Sequence, residues 1–372
     1  MSAIAFFKKN AMVCIAAAAA LITCFFVPPD KEYLGYFDLK TLACLFATLA
    51  VVCALKNIHF FSFVAHRIVC LAGDMRRAIL ALVYITFIGS MLIANDMALI
   101  TFLPLGYFVL SSTGRTRYMS FTFIMQNIAA NLGGMLTPFG NPQNLYLYTY
   151  FNIDTWDFVK IMFPPFIFAI AIITGCCLFI KPEKLELKSD EAPTTVKWRA
   201  VVYLILFSLS IVMVFRVLPY TVCLPIILAG ILIFDRKALR DVDYGLLGTF
   251  TAFFVFSGNL ARIPAVSEFL GALIQKNTLL VSALSCQFIS NVPSAILLSK
   301  FTDSYAELLV GVNIGGVGTL IASLASLITF KEYIKYKPKY TLLYIKEFLA
   351  YNFGMLAALL VEMNLVFGHL PV

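Results

Sequence analysis

Charge is scarce in this chain of 372 residues: Asp, Glu, Lys and Arg make up 13% of it, and histidine occurs three times. Soluble domains carry about a quarter of their residues charged, so a mainly water-facing exterior is excluded. The sparse acids and histidines form no cluster of metal-ligand spacing, and no Ser-His or Ser-Lys arrangement is visible, which argues against a membrane-embedded enzyme. No Walker loop is present, so nothing in the chain would bind ATP to drive transport. The nine cysteines (14, 24, 44, 53, 70, 176, 177, 223 and 286) include no CxxC pair, so zinc and redox motifs of that kind are missing. Cys176-Cys177 reads as two small polarisable core residues rather than a thiol trap for a soft metalloid.

What is abundant is apolar: 61% of the residues are hydrophobic and the mean hydropathy is +0.90. Runs long enough to span a bilayer recur from end to end, so the fold class is an all-α polytopic membrane protein. The net charge of +8 is not a nucleic-acid signal, because Lys and Arg sit in short loops where they orient the spans. Residues 1–27 carry Lys8 and Lys9 before an alanine-rich run. Phe25-Phe26-Val27-Pro28 is a poor cleavage site, so an uncleaved first span is expected.

One stretch is polar inside this apolar background. Asn127 to Asn144 contains four asparagines, three glycines and two prolines. Pro138 and Pro142 cannot sit inside an unbroken helix, and the glycines weaken it further. Freed backbone groups in lipid cost several kcal/mol unless something satisfies them. A membrane helix broken in this way builds a site for a small ion or substrate.

Taken in order, spans are expected near 11–27 and 39–55. Asp30, Glu32 and Asp38 make the connector between them external, which places the N-terminus in the cytoplasm and, span by span, the C-terminus outside. Residues 56–77, with His59 and His66 as interfacial residues, read as an amphipathic surface helix. A hairpin at 78–111 has the tip Ala94-Asn95-Asp96. A broken helix at 119–150 follows, then a span at 158–180. Residues 181–198 form a cytoplasmic linker. Spans near 199–217, 220–234 and 245–262 come next, then a surface helix at 264–276. The hairpin at 278–301 turns at Ser290-Asn291-Val292-Pro293. Its arms are roughly 15 Å long, half a bilayer, so it is re-entrant. A second broken helix at 304–330 and a span at 343–367 close the chain. The sum is about nine transmembrane helices plus two re-entrant hairpins and two broken helices.

The halves can be laid on each other. Asp38–Leu55 matches Asp243–Leu260, and Asn95-Asp96-Met-Ala-Leu-Ile matches Asn291-Val292-Pro-Ser-Ala-Ile. Asn131-Leu-Gly-Gly-Met-Leu-Thr137 matches Asn313-Ile-Gly-Gly-Val-Gly-Thr319, which sets Asn141 and Asn144 against Ser323 and Ser326. Loop charges make the first copy (1–180) enter its hairpin from inside and the second (199–372, after an extra span) from outside. That is an inverted-topology repeat with its site at the midplane, and by symmetry the first hairpin is re-entrant too.

Helix N-termini at such tips suit an anion. The amides of Asn95, Asn131, Asn141, Asn144, Asn291 and Asn313 suit a cation such as Na⁺ or the hydroxyls of a substrate. Thr137, Thr319, Ser290, Ser323 and Ser326 serve either. Asp96 is the one acid at a tip; a buried carboxylate pairs with a cation or takes a proton, so it is the candidate coupling residue. Substrate contacts are thus expected from Asn95, Asn144, Ser290, Asn291 and Ser326, and ion coupling from Asp96, Asn131, Thr137, Asn141, Asn313, Thr319 and Ser323. Arg262 and Lys300 read as interfacial anchors, and Glu362 as lying near the outer end of the last span. No cofactor is expected beyond a coupling H⁺ or Na⁺. The expected partners are a small anion and the bilayer.

Thr137-Pro-Phe-Gly-Asn-Pro-Gln-Asn144, Ser290-Asn291-Val292-Pro293 and Asn313–Thr319 together resemble the ion transporter superfamily, which includes citrate-transporter-like proteins, divalent anion/sodium symporters and arsenite-efflux pumps. The resemblance implies a secondary transporter, often a homodimer, with a scaffold part and a mobile part working by alternating access. It also implies sodium held at Asn95, Asn131, Thr137 and Asn141, with Asp96 beside them, and at Asn291, Asn313, Thr319 and Ser323. Asp96 stands where the dicarboxylate symporters have a threonine, which is closer to the arsenite-pump form. Arsenite-type efflux and sodium/proton exchange are therefore rival readings. A passive channel is distinguished by Asp96→Asn changing rate but not accumulation.

Overall fold

The computed structural model describes residues 11–70, 72–184 and 196–368. Most of the expected linker and both chain ends lie outside these residues. Within them the secondary structure is helical, with one isolated bridge between Asp74 and Lys184.

The first half comprises α1 (Ala11–Cys24), α2 (Leu39–Asn57), α3 (Phe60–Cys70), α4 (Met75–Ile93), α5 (Asn95–Ser112), α6 (Met119–Gly133), α7 (Pro142–Tyr150) and α8 (Thr155–Leu178). The second comprises α9 (Lys197–Val214), α10 (Tyr220–Phe234), α11 (Arg236–Asp241), α12 (Tyr244–Arg262), α13 (Pro264–Lys276), α14 (Thr278–Ile289), α15 (Asn291–Leu298), α16 (Tyr305–Ile314), α17 (Leu324–Tyr336) and α18 (Thr341–Val366). Six of the described helices are long and apolar enough to cross a membrane. Five of the six are among the nine expected and the sixth is α4, expected as a hairpin arm; of the remaining four, α1 and α10 have 14 and 15 described residues and the two broken spans are split. The surface helix expected at 56–77 shrinks to α3, because α2 runs on to Asn57 and Asp74 caps the start of α4 by accepting from Arg77 N.

The two spans that follow an aspartate are alike in detail. Asp38 accepts from Thr41 N at the start of α2, and Asp243 accepts from Leu246 N at the start of α12; both helices have 19 residues. α13 meets α14 at 119°, as a surface-lying helix leading into a hairpin would. The arms of the second hairpin, α14 and α15, have 12 and 8 residues, about 18 and 12 Å, too short to cross. Those of the first, α4 and α5, have 19 and 18. Length alone would let each arm cross, but its tip adjoins the tip of the short hairpin.

The copies interlock. α7 packs on α15 and α16 of the second copy, and α17 packs on α5 and α6 of the first. Close approach within each copy depends on glycine. A Cβ on Gly133 would run into the Phe87 carbonyl, and one on Gly315 would lie 2.8 Å from Ala283 Cα. Phe87 and Ala283 stand at the same distance before Asn95 and Asn291, so the repeat extends to the packing of hairpin on broken helix. On one flank, Arg262 ends α12 in ion pairs with Asp30 at 2.6 Å and Glu32 at 3.3 Å. Lys300 sits over the ring of Tyr150 at 4.5 Å.

Candidate functional site

Both hairpin tips turn on a non-glycine residue with a glycine's backbone: Ala94 at φ 66°, ψ 153° and Ser290 at φ 73°, ψ 157°. That region is essentially glycine's alone, and such strain clusters at functional sites. The first residue of each returning arm then folds its side chain back on the next backbone N–H. Asn95 Oδ1 accepts from Asp96 N and Asn291 Oδ1 accepts from Val292 N, each at 2.9 Å. The Asp96 carboxylate takes no part in that bond, and its Oδ1 is buried without a partner among the described residues.

Each broken helix is tied to its hairpin by a threonine. Thr137 Oγ1 donates to Met91 O at 2.9 Å, and Thr319 Oγ1 donates to Gln287 O at 3.0 Å; both carbonyls lie four residues before the tip asparagine. Asn131 and Asn313 each donate to the carbonyl four residues back, Asn127 O and Leu309 O. Asn95 Nδ2 donates to Asn131 Oδ1 at 3.4 Å. Asn141 and Gln143 both donate to Asn313 Oδ1, and Asn313 donates to Asn144 Oδ1 at 2.6 Å.

The carbonyls freed by the two breaks are satisfied differently. In the first copy Asn144 Nδ2 donates to Gly134 O, Met135 O and Thr137 O. In the second, Ser326 reaches no break carbonyl; it bonds Ser323 Oγ at 2.9 Å. Gln287 of α14 takes over, donating to Gly315 O and Val317 O and accepting from Thr319 N at 2.8 Å. The pairing of Asn144 with Ser326 thus holds in register but not in role. Gln287 lies outside the motifs, four residues before Asn291, and a buried amide one turn before a polar tip was its signal.

A cavity of about 160 Å³ opens in front of this network. Of the expected site residues, Asn95, Asp96, Ser290 and Asn291 line it. Asn131, Thr137, Asn141, Asn144, Asn313, Thr319, Ser323 and Ser326 do not; they stand behind the wall and hold it. Gln143, Thr249, Asp243 and Lys331 also line the cavity and were not expected there. Gln143 sits between Asn141 and Asn144, and Lys331 reads from sequence as a loop charge. Besides Met12 and Val13 of α1, five helices contribute their first turns to the wall: α5, α7, α12, α15 and α17. Each N-terminus carries roughly half a positive charge. Against this, Asp96 Oδ1, Gln143 Oε1, Asn141 Oδ1 and Ser294 Oγ are buried oxygens lacking a partner among the described residues. Behind the first copy, Asn127 Nδ2 donates to Asn352 Oδ1 of α18 at 3.3 Å, joining the network to the last span. Among the described residues no group of three His, Cys, Asp or Glu could hold a metal.

Comparison with known proteins identifies the family and the fold. The family profile described as Citrate transporter matches residues 3–311. An uncharacterized transporter of Methanocaldococcus jannaschii is 34% identical over 302 residues, 81% of this chain and 82% of that protein. The inner membrane protein YbiR of Escherichia coli is 27% identical over 318 residues, covering 82% and 83%. Among solved structures, the YdaH transporter of Alcanivorax borkumensis has the same fold, with a TM-score of 0.54 over 96% of this chain and 97% of that one at 13% identity. The chain belongs to the citrate transporter family, as a multi-pass membrane protein of transporter rather than enzyme type.

Proposed function

We propose that the chain is a secondary active transporter that moves a small anion, a carboxylate or an inorganic oxyanion, across the cytoplasmic membrane by alternating access, coupled to H⁺ or Na⁺. The observation that carries this reading is the cavity wall: the N-termini of α5, α7, α12, α15 and α17 and Lys331, beside buried oxygens of Asp96 and Gln143 that have no partner among the described residues. N-terminal N–H groups and a lysine attract an anion. A bare carboxylate takes a cation or a proton, and a bare amide oxygen a cation or a hydrogen-bond donor. A site that wants both at once suits symport of an anion with a coupling ion.

In this reading Asn95, Ser290 and Asn291 contact the anion, and Asp96 carries the proton or pairs with Na⁺. Asn131, Thr137 and Asn141 complete a cation site with Asn95 and Asp96, and Asn313, Thr319 and Ser323 do the same work for the second tip. The N-terminus is cytoplasmic, the C-terminus external, and two copies form the working dimer.

Purified protein in proteoliposomes tests it, with a pH or Na⁺ gradient imposed separately and citrate, succinate, sulfate or arsenite offered. Gradient-driven accumulation of one anion that Asp96→Asn abolishes, with gradient-free exchange retained, is the expected result. Absence of anion flux, with Na⁺-dependent pH change in the lumen, would sink it in favour of an antiporter.

A further inference from the structure

A second cavity, of about 480 Å³, lies away from the sequence motifs, between the start of α6, the end of α17 and α18. Tyr340, Leu343, Glu347 and Tyr351 recur along it at helical spacing, so they form one stripe over the first turns of α18. Two opposite charges line it without neutralising each other. Lys337 Nζ donates to the Thr116 hydroxyl at 3.2 Å and lies 5.9 Å from the Tyr340 ring. The Glu347 carboxylate accepts from Ser120. Among the described residues neither joins an ion pair. Arg117, shared with Glu183, adds a second cation to the wall.

The mouth is apolar and uncovered: Leu343 and Tyr340 of the lining are 52% and 53% exposed, and Leu342 beside them in sequence is 67% exposed. Lysines and tyrosines at the start of a span mark the headgroup level of a bilayer. Basic pockets between spans at that level take lipid headgroups, but here the pocket is bipolar, which a purely anionic headgroup would not match.

We propose that this cavity seats the headgroup of an aminophospholipid. Its phosphate meets Lys337 and Arg117. Its primary ammonium meets the Glu347 carboxylate and the faces of Tyr340 and Tyr351, where charge-assisted hydrogen bonds and cation–π contact favour it. The acyl chains run out over Leu342 and Leu343. The consequence is mechanical: α17 brings Leu324 and Leu327 to the first cavity and ends beside Lys337 at the second, so a bound headgroup tethers the far end of a helix that builds the substrate site.

The test is competition between lipids. Full-length protein is equilibrated in nanodiscs with equal phosphatidylethanolamine, phosphatidylglycerol and phosphatidylcholine, and the lipid retained after extraction is read by native mass spectrometry. Phosphatidylethanolamine is expected to dominate. Loss of one charge-assisted contact in Glu347→Gln or Lys337→Met should lower its retention about tenfold. Glu347→Asp and Lys337→Arg should restore it, which separates a lost contact from a lost fold, and Lys339→Met should leave it unchanged. Equal retention of the three lipids, or retention unaffected by both variants, overturns the proposal. So does preferential phosphatidylglycerol, or full displacement by soluble phosphoethanolamine, which would make the ligand a free phosphate ester.

Discussion

Asn141 Nδ2 donates to Asn313 Oδ1 at 3.2 Å, joining two side chains 172 positions apart. Each belongs to a broken helix of a different copy, so this bond, with those from Gln143 and to Asn144, fastens the two halves of the site, beside the bonds of Asn127 with Thr329 and Asn352 and of Tyr146 with Ser299. Removing either asparagine leaves buried partners unpaired, at about 1–3 kcal/mol. In a double-mutant cycle of Asn141→Ala and Asn313→Ala, thermal unfolding in detergent should show a coupling of about 0.5–3 kcal/mol. Simple additivity would mean that the copies are fastened elsewhere.

The hairpin tips predict a sign reversal. Glycine within an ordinary helix lowers stability, but Ala94 and Ser290 already hold a glycine's dihedrals. Ala94→Gly and Ser290→Gly should therefore raise stability by on the order of 1 kcal/mol. A lower melting temperature in both variants would show that these tips store no strain.

Gly133 and Gly315 allow each hairpin to press on its broken helix. Adding one methyl at either position forces a backbone shift costing about 1–3 kcal/mol, so Gly133→Ala and Gly315→Ala should melt earlier and transport more slowly. Gly175, inside α8, has nothing within 4 Å of its would-be Cβ. Gly175→Ala should be neutral or stabilising by about 1 kcal/mol, which makes it the matched control.

On the connector between α1 and α2, the hydrogen bond from Arg262 holds the Asp30 carboxyl below its ordinary value of 3.8, with burial opposing. A depressed value in the folded state means stability present above the ordinary value and lost as pH falls through the lowered one. The melting-temperature gap between wild type and Arg262→Gln should be small, as for exposed ion pairs. It should stay constant from neutral pH down to about pH 5 and close below the ordinary value of 3.8. A gap that widens on acidification would contradict the assignment.

Much of the architecture was legible from residues alone. Asp38 and Asp243 start matched spans, Pro142 and the glycines of both Asn-x-Gly-Gly motifs break helices, and polar tips occur where expected, because apolar length, capping and helix breaking are local properties. The direction in which a side chain points is not local. Successive helix residues diverge by about 100°, so packing decided that Gln143 meets the cavity while neighbouring Asn144 turns back to satisfy the carbonyls of the break. Tertiary contact likewise brought Asp243 and Lys331, distant in sequence, into one wall with Asp96, and gave Gln287 the work that Asn144 does in the other copy. The sequence by itself determined the class of protein, the two breaks and their repetition; the folded structure decided which polar groups face the cavity and which only hold the backbone, since that depends on what each buried donor finds opposite it.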